Sequence, residues 1–360
     1  MATETTIRER PFELDGSSTM KAARIHEYGK PLVLEEVPRP VPGPGQVLVK
    51  VEGAGFCHSD LHILGGEIPI LPRMPLILGH ENAGVVAELG DGVRAIEVGQ
   101  KVAIFGGWGC EACDYCVSGV EQMCAAPEWA GASERDGGYA EYILVPSARH
   151  LVPLSQLDPA VAAPLTDAAL TPYRAIKKAL PFLAPDHAVL VIGVGGLGQY
   201  GIKLLRILCG AEIIAVDISE AKLDVARSFG AAKTLLATEE ELSREIRQLS
   251  GGGVGAAFDF VGSEQSLALS LSATRAGGKV TQLGLAGGTA RMRVLETNPW
   301  EVQFETTIWG SVKELREVIA LAETGRLTPI DTERVPLEQI SEAHERVKAG
   351  AVKGRLVITP

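Results

Sequence analysis

The chain of 360 residues lacks an excess of positive charge: 34 Lys and Arg face 45 Asp and Glu, a formal net charge of −11. Such a chain offers no field that gathers nucleic acid or anionic lipid, so a phosphate-bearing ligand requires locally placed cations. An apolar run of the roughly 18 residues that cross a bilayer is missing, as is the short apolar core of a secretory signal at the N-terminus. No nucleic-acid or membrane partner is therefore expected, and the chain reads as cytoplasmic. Internal repeats and low-complexity segments are also missing. Cysteines number only six, and in a reducing compartment they point to metal ligands or core positions rather than disulfides. What is present is a globular composition, 46% hydrophobic and 22% charged, long enough for two ordinary domains.

The hydrophobic pattern changes along the chain. Residues 1–19 are polar and without period, so the folded part is expected to begin near Met20 with KAARIHEY. From there to about residue 166, short alternating runs such as VLVKVEGAG, AGVVAEL and AEYILV are separated by Gly and Pro, which predicts an irregular, mostly β domain. Over 167–309 the apolar runs AVLVIGV, EIIAVD, KTLLA, AAFDFVG, GKVTQLGL and ETTIWGS alternate with helical stretches, among them SEAKLDVARSFG and EEELSREIRQLS. That rhythm predicts an α/β unit, a doubly wound parallel sheet of six strands. Residues 310–360 return to a different pattern and are expected to rejoin the first domain, making it discontinuous.

Three constellations carry chemistry. In GCEACDYCVSGVEQMC, Cys110, Cys113, Cys116 and Cys124 are separated by two, two and seven residues, a spacing that suits a closed, structural Zn²⁺ site. An iron–sulfur signature would end with a three-residue gap and a proline, and neither is present. In AVLVIGVGGLGQYG, Gly193, Gly195 and Gly198 follow a strand and open a helix in the GxGxxG spacing, with Gly196 between them. The glycines allow the tight turn and the approach of a pyrophosphate to the helix N-terminus. Asp217 closes the next strand, where an acid accepts ribose hydroxyls and repels a 2′-phosphate, so NAD is favoured over NADP. The third constellation is GFCHSDLHILGG with LILGHENAGVV, which offer Cys57, His58, Asp60, His62, His80 and Glu81. A catalytic zinc takes about three protein donors and leaves one position open.

CHSDLH, GHENAG, the four-cysteine lobe, PLTDAALTPY and VIGVGGLGQ, in this order, resemble the zinc-dependent medium-chain alcohol dehydrogenases, most closely the bacterial NAD-dependent secondary alcohol dehydrogenases. The resemblance runs from about Met20 to Pro360 and implies a GroES-like catalytic domain on a Rossmann domain, two Zn²⁺ per chain, NAD, and a homo-oligomer, a tetramer among bacterial members. It implies Cys57 and His80 as ligands of the catalytic zinc, with Asp167 where many relatives have a third ligand, usually cysteine. It further implies Glu81 as an acid beside the metal, Asp60 as the residue that orients the ligand histidine, and Ser59 with His62 as a proton relay. His58, Lys222 and Arg355 would serve the cofactor, and Trp309 would wall the substrate pocket. Small alcohols and their aldehydes or ketones are the implied substrates. A polyol or amino-alcohol dehydrogenase and a non-catalytic nucleotide-binding protein on the same fold are the alternatives.

Asp167 has a second reading from the residues alone. In TDAALTPYRAIKKAL, Thr166 or Asp167 could cap a helix N-terminus, where a short polar side chain accepts backbone N–H groups. The ligand reading is preferred because Cys57 and His80 need a third donor, and a thiolate with a carboxylate brings −2 to a +2 ion.

Overall fold

The computed structural model describes residues 14–237, 241–292 and 300–360. Residues 1–13, most of the segment read as a polar extension, lie outside the described residues, as do the first two of EEELSREIRQLS. The first strand runs Leu14–Ile25, six residues ahead of the expected start at Met20. It pairs with Val33–Pro40 across a register shift between Leu14 and Thr19, so backbone pairing carries the strand into a stretch without apolar period.

A seven-stranded sheet is centred on Val47–Gly55, whose burial alternates at Lys50 and Glu52, as one solvated face requires. Its antiparallel neighbours include Glu81–Leu89 and, from the far end of the chain, Arg355–Thr359, which pairs through Val357 and Ile358. The last strand therefore returns to this seven-stranded sheet, and it brings Arg355 beside Glu81.

The six-stranded sheet is parallel throughout, with the spatial order Lys233–Leu236, Glu212–Asp217, Ala188–Ile192, Val254–Asp259, Thr274–Gln282 and Gln303–Thr306. The inner strands Ala188–Ile192, Glu212–Asp217 and Val254–Asp259 are buried along almost their whole length because helices cover both faces, while the edge strands Lys233–Leu236 and Gln303–Thr306 are more exposed. Val189, Val191, Ile213 and Phe258 face the core shared with the rest of the molecule, while Leu190, Ile192, Ile214 and Ala257 face a second core under the helices Leu242–Leu249 and Glu264–Ala273. The sixth strand lies two residues ahead of the run ETTIWGS expected to form it. Strand order reverses on either side of Ala188–Ile192, and a cleft of about 2090 Å³ opens beyond its carboxyl end, where such sheets bind ligands.

Candidate metal centre and dinucleotide cleft

Cys57, His80 and Asp167 reach one point from three backbone contexts. Cys57 follows the strand Val47–Gly55 and precedes the helix His58–Gly65, so its side chain leaves at the helix N-terminus. His80 follows Gly79, whose φ of 96° is the left-handed turn that glycine tolerates. Asp167 leaves a 3₁₀ turn over Ala163–Thr166, while the next helix begins only at Leu170, preceded by Ala169. Neither Thr166 nor Asp167 caps that helix. Instead Asp167 Oδ2 lies 3.8 Å from Cys57 Sγ and 3.6 Å from His80 Nε2, and Oδ1 accepts the Thr171 hydroxyl at 2.6 Å.

The donor set fits a zinc ion. Metal–donor bonds of about 2.0–2.3 Å in a tetrahedron put donor atoms about 3.4–3.6 Å apart, close to these spacings. Ligand atoms of Cys57, His80, Glu81 and Asp167 all lie within 4.8 Å of one another. Burial alone would push the His80 imidazole down, but Asp60, Asp167 and Cys57 outweigh it and raise its pKa well above the ordinary value. The cage favours positive charge.

Asp60 is buried and receives the Cys57 N–H at 3.0 Å and the Tyr139 hydroxyl at 2.7 Å on Oδ2, while its other oxygen lies 3.2 Å from His80 Nδ1. A carboxylate there holds the imidazole with Nε2 toward the metal position. Glu81 is fully buried, and its carboxylate faces Arg355, which donates from Nε at 3.1 Å and also from Nη2. Burial pushes the Glu81 carboxyl up to about 7, with the Arg355 charge pulling against it.

Ser59 and His62 have different partners: Ser59 Oγ lies 3.4 Å from His80 Nε2, whereas His62 Nδ1 is bonded to Glu67. Both line the cleft. His58 also lines it, but burial and then the charges of His62, Arg355 and Lys222 push its pKa down. Arg355 and Lys222, which lower it, line the same cleft and are its nearby cations.

The glycine loop divides its tasks by position. Gly193 has φ 87°, and a Cβ at Gly198 would run into the Gly193 carbonyl. Gly195 has open space where a Cβ would stand, which leaves the backbone accessible from the cleft. A Cβ at Gly196 would lie 2.7 Å from Arg355 Nη1, so Arg355 joins the loop to Glu81. Asp217 ends its strand against this loop, its Oδ2 accepting the Val194 N–H at 2.7 Å and its Oδ1 the Ser219 N–H at 3.0 Å. Each oxygen keeps a lone pair for a ribose hydroxyl. Trp309, with φ 46°, sets its ring 5.7 Å from His80 and 5.5 Å from Trp129.

The four lobe cysteines bring their sulfurs within 4.8 Å of one another, with Cys113 Sγ 3.5 Å from Cys116 Sγ and 3.7 Å from Cys124 Sγ. Tetrahedral zinc thiolates would stand about 3.8 Å apart, so this set also fits. None of the four lines the cleft. Sequence reasoning missed Tyr139, Thr171, Trp129 and Glu67. Thr171 follows Asp167 by four positions and could have been noticed; the others carry no local signal.

Residues 43–156 match the alcohol dehydrogenase GroES-like domain family, and residues 196–324 the zinc-binding dehydrogenase family. An NAD-dependent alcohol dehydrogenase of Sulfolobus acidocaldarius is 38% identical over 349 residues, spanning 94% of this chain and 99% of the relative. An alcohol dehydrogenase of Geobacillus stearothermophilus is 35% identical over 342 residues, with 94% and 98% covered. The solved alcohol dehydrogenase of Aeropyrum pernix superposes with a TM-score of 0.86 at 35% identity, covering 94% of this chain and all of that one.

Proposed function

The chain belongs to the zinc-dependent medium-chain alcohol dehydrogenases and is an NAD-dependent oxidoreductase, and from that premise we propose that it interconverts apolar primary or secondary alcohols with their aldehydes or ketones. One zinc would be held by Cys57, His80 and Asp167, and a second by Cys110, Cys113, Cys116 and Cys124. The observation that carries the reading is the meeting of Cys57, His80 and Asp167 at a cleft that also contains the glycine loop.

When bound, zinc supplies the Lewis acidity that lowers the pKa of an alcohol hydroxyl or polarises a carbonyl, and NAD supplies the hydride chemistry. This chain's residues do the rest. Ser59 Oγ accepts the hydroxyl proton as it releases its own, and His62, oriented by Glu67, takes up the released proton and passes it toward solvent. Arg355 and Lys222 give the pyrophosphate local positive charge, and Asp217 selects the adenosine ribose. Trp309 and Trp129 exclude water from the reacting end.

Ile70, Trp129, Ala132 and Trp309 make the adjoining walls apolar, with Ser59 and Thr171 as hydroxyls. A polyol would leave most of its hydroxyls unpaired against such walls, at a cost of about 1–3 kcal/mol for each buried group. The test is a panel of apolar alcohols and polyols with NAD⁺ and NADP⁺, before and after chelation. Turnover of apolar alcohols with NAD⁺, lost on chelation, is expected; no turnover by a zinc-loaded sample would refute the assignment.

For the lobe, Cys113→Ser is expected to lower metal content by one zinc per chain and to bring forward heat inactivation, while NADH binding persists, since the lobe does not line the cleft. Equal zinc content in the variant would count against the second site. Assembly into a homo-oligomer, with a tetramer as the expected state, is consistent with the exposed Trp300 beside the edge strand Gln303–Thr306 and is read by analytical ultracentrifugation. Among the described residues no helix is long and apolar enough to cross a membrane.

A further inference from the structure

Granted that Cys57, His80 and Asp167 hold one zinc, we infer that Tyr139 is the positioning residue that locks the segments bearing Cys57 and His80 to each other, acting through Asp60. Tyr139 is fully buried, 82 residues beyond Cys57 in sequence. Its ring stacks on Phe56 at 5.6 Å and 19°, the residue before Cys57. The same ring lies under Gly79, the residue before His80, so closely that a Cβ there would stand 2.7 Å from Cδ1. Its backbone N–H donates to the Leu78 carbonyl at 3.0 Å, and that of Gly138 to Gly79 at 2.8 Å. One side chain therefore touches the residue preceding Cys57 and the residue preceding His80.

The hydroxyl supplies the chemical link. It donates to Asp60 Oδ2 at 2.7 Å, while the Gly55 carbonyl stands farther off at 3.4 Å. Oδ2 then has two donors, the phenol and the Cys57 N–H, and the other oxygen is left to face His80 Nδ1. Two donors on one oxygen hold the carboxylate plane; with one, the group can turn about its Cβ–Cγ bond and Nδ1 loses the carboxylate oxygen held 3.2 Å from it. A buried phenol hydroxyl costs stability unless it is bonded, so a phenylalanine would satisfy the ring contacts as well. The hydroxyl's role is toward Asp60.

Tyr139→Phe tests this with Tyr173→Phe as control, because the Tyr173 hydroxyl also donates to a carboxylate, Glu317 at 2.9 Å, away from the ligands. Zinc per chain is counted by native mass spectrometry as chelator is titrated. Tyr139→Phe is expected to weaken the cleft zinc about 10-fold, the low end of what partners of metal ligands contribute. The visible bands of cobalt substituted at that site should shift in this variant and not in the control. Asp60→Asn should remove most of the effect of Tyr139→Phe, since one acts through the other. Unchanged zinc affinity and cobalt bands, or full additivity with Asp60→Asn, would overturn the inference. A fluorotyrosine at position 139 keeps the ring and strengthens the donor, so a cobalt spectrum identical to wild type would also overturn it should Tyr139→Phe not fold. A wild-type chain that holds only the lobe zinc overturns the site assignment itself, a different result from a two-zinc chain indifferent to Tyr139.

Discussion

Asp167→Ala is expected to lose the cleft zinc, leaving one ion per chain, and to lower kcat/KM by about 10³-fold or more. The magnitude follows from several kcal/mol of Lewis-acid stabilisation at 1.36 kcal/mol per tenfold. Removing the carboxylate leaves a buried thiolate and imidazole with one negative charge for a doubly charged ion. Asp167→Cys restores the charge and is expected to hold zinc against chelator longer than the parent chain, because thiolate is the softer and more strongly donating ligand. The carboxylate in turn leaves the metal more electrophilic and more readily lost. Metal content and steady-state rates decide the matter. Full zinc occupancy and turnover in Asp167→Ala would reduce Asp167 to an anchor for the Thr171 hydroxyl, bonded at 2.6 Å.

Arg355→Ala is expected to be the most destabilising single change in the cleft, by about 3–5 kcal/mol, because it strands the buried Glu81 carboxylate. The cost depends on pH with a definite sign. Burial holds the Glu81 carboxyl at about 7 in the folded chain against 4.5 for the ordinary group, and without Arg355 it rises further. Between the unfolded and folded values the native state binds more protons, so stability falls as pH rises through that window. The deficit of Arg355→Ala relative to wild type should therefore be smaller at pH 5 than at pH 8 in urea unfolding. An equal deficit at both would show that Glu81 does not titrate as described. Replacing both partners by Arg355→Met with Glu81→Leu should recover most of the stability. NADH affinity should remain low, because Arg355 Nη1 is also the group beside Gly196.

The parts legible in the sequence share a property: their meaning is local. Four cysteines within fifteen residues bring their own geometry to a zinc, and the loop 193–198 is intelligible because glycine's lack of a Cβ acts at each position separately. Period and alternation likewise announced the six parallel strands, since helices on both faces demand apolar runs. Where local signals ran out, expectations slipped. Residues 14–19, without an apolar period, lie in a strand because Val33–Pro40 is there to pair with at Leu14 and Thr19, and backbone pairing carries no side-chain signature. The surroundings of His58 carry no local signature either: its pKa is lowered by burial and by neighbours, Arg355 and Lys222 among them, that arrive from elsewhere in the chain.

By itself the sequence determined the class of chemistry: a dinucleotide loop with an acid after the next strand, one closed thiolate set and one open set of Cys and His. What the tertiary structure adds is the surroundings of Asp167, whose carboxylate stands 3.8 Å from Cys57 Sγ and 3.6 Å from His80 Nε2 while the next helix begins only at Leu170. Whether that carboxylate caps a helix or faces a metal depends on whether Cys57 and His80, 110 and 87 residues earlier in the chain, stand beside it. The same holds for Tyr139 behind Asp60 and for Arg355 against Glu81, pairs separated by 79 and 274 residues. Hydrogen bonds and ion pairs act over a few ångströms, so partners that distant in sequence become partners only once the strands that carry them have been brought together.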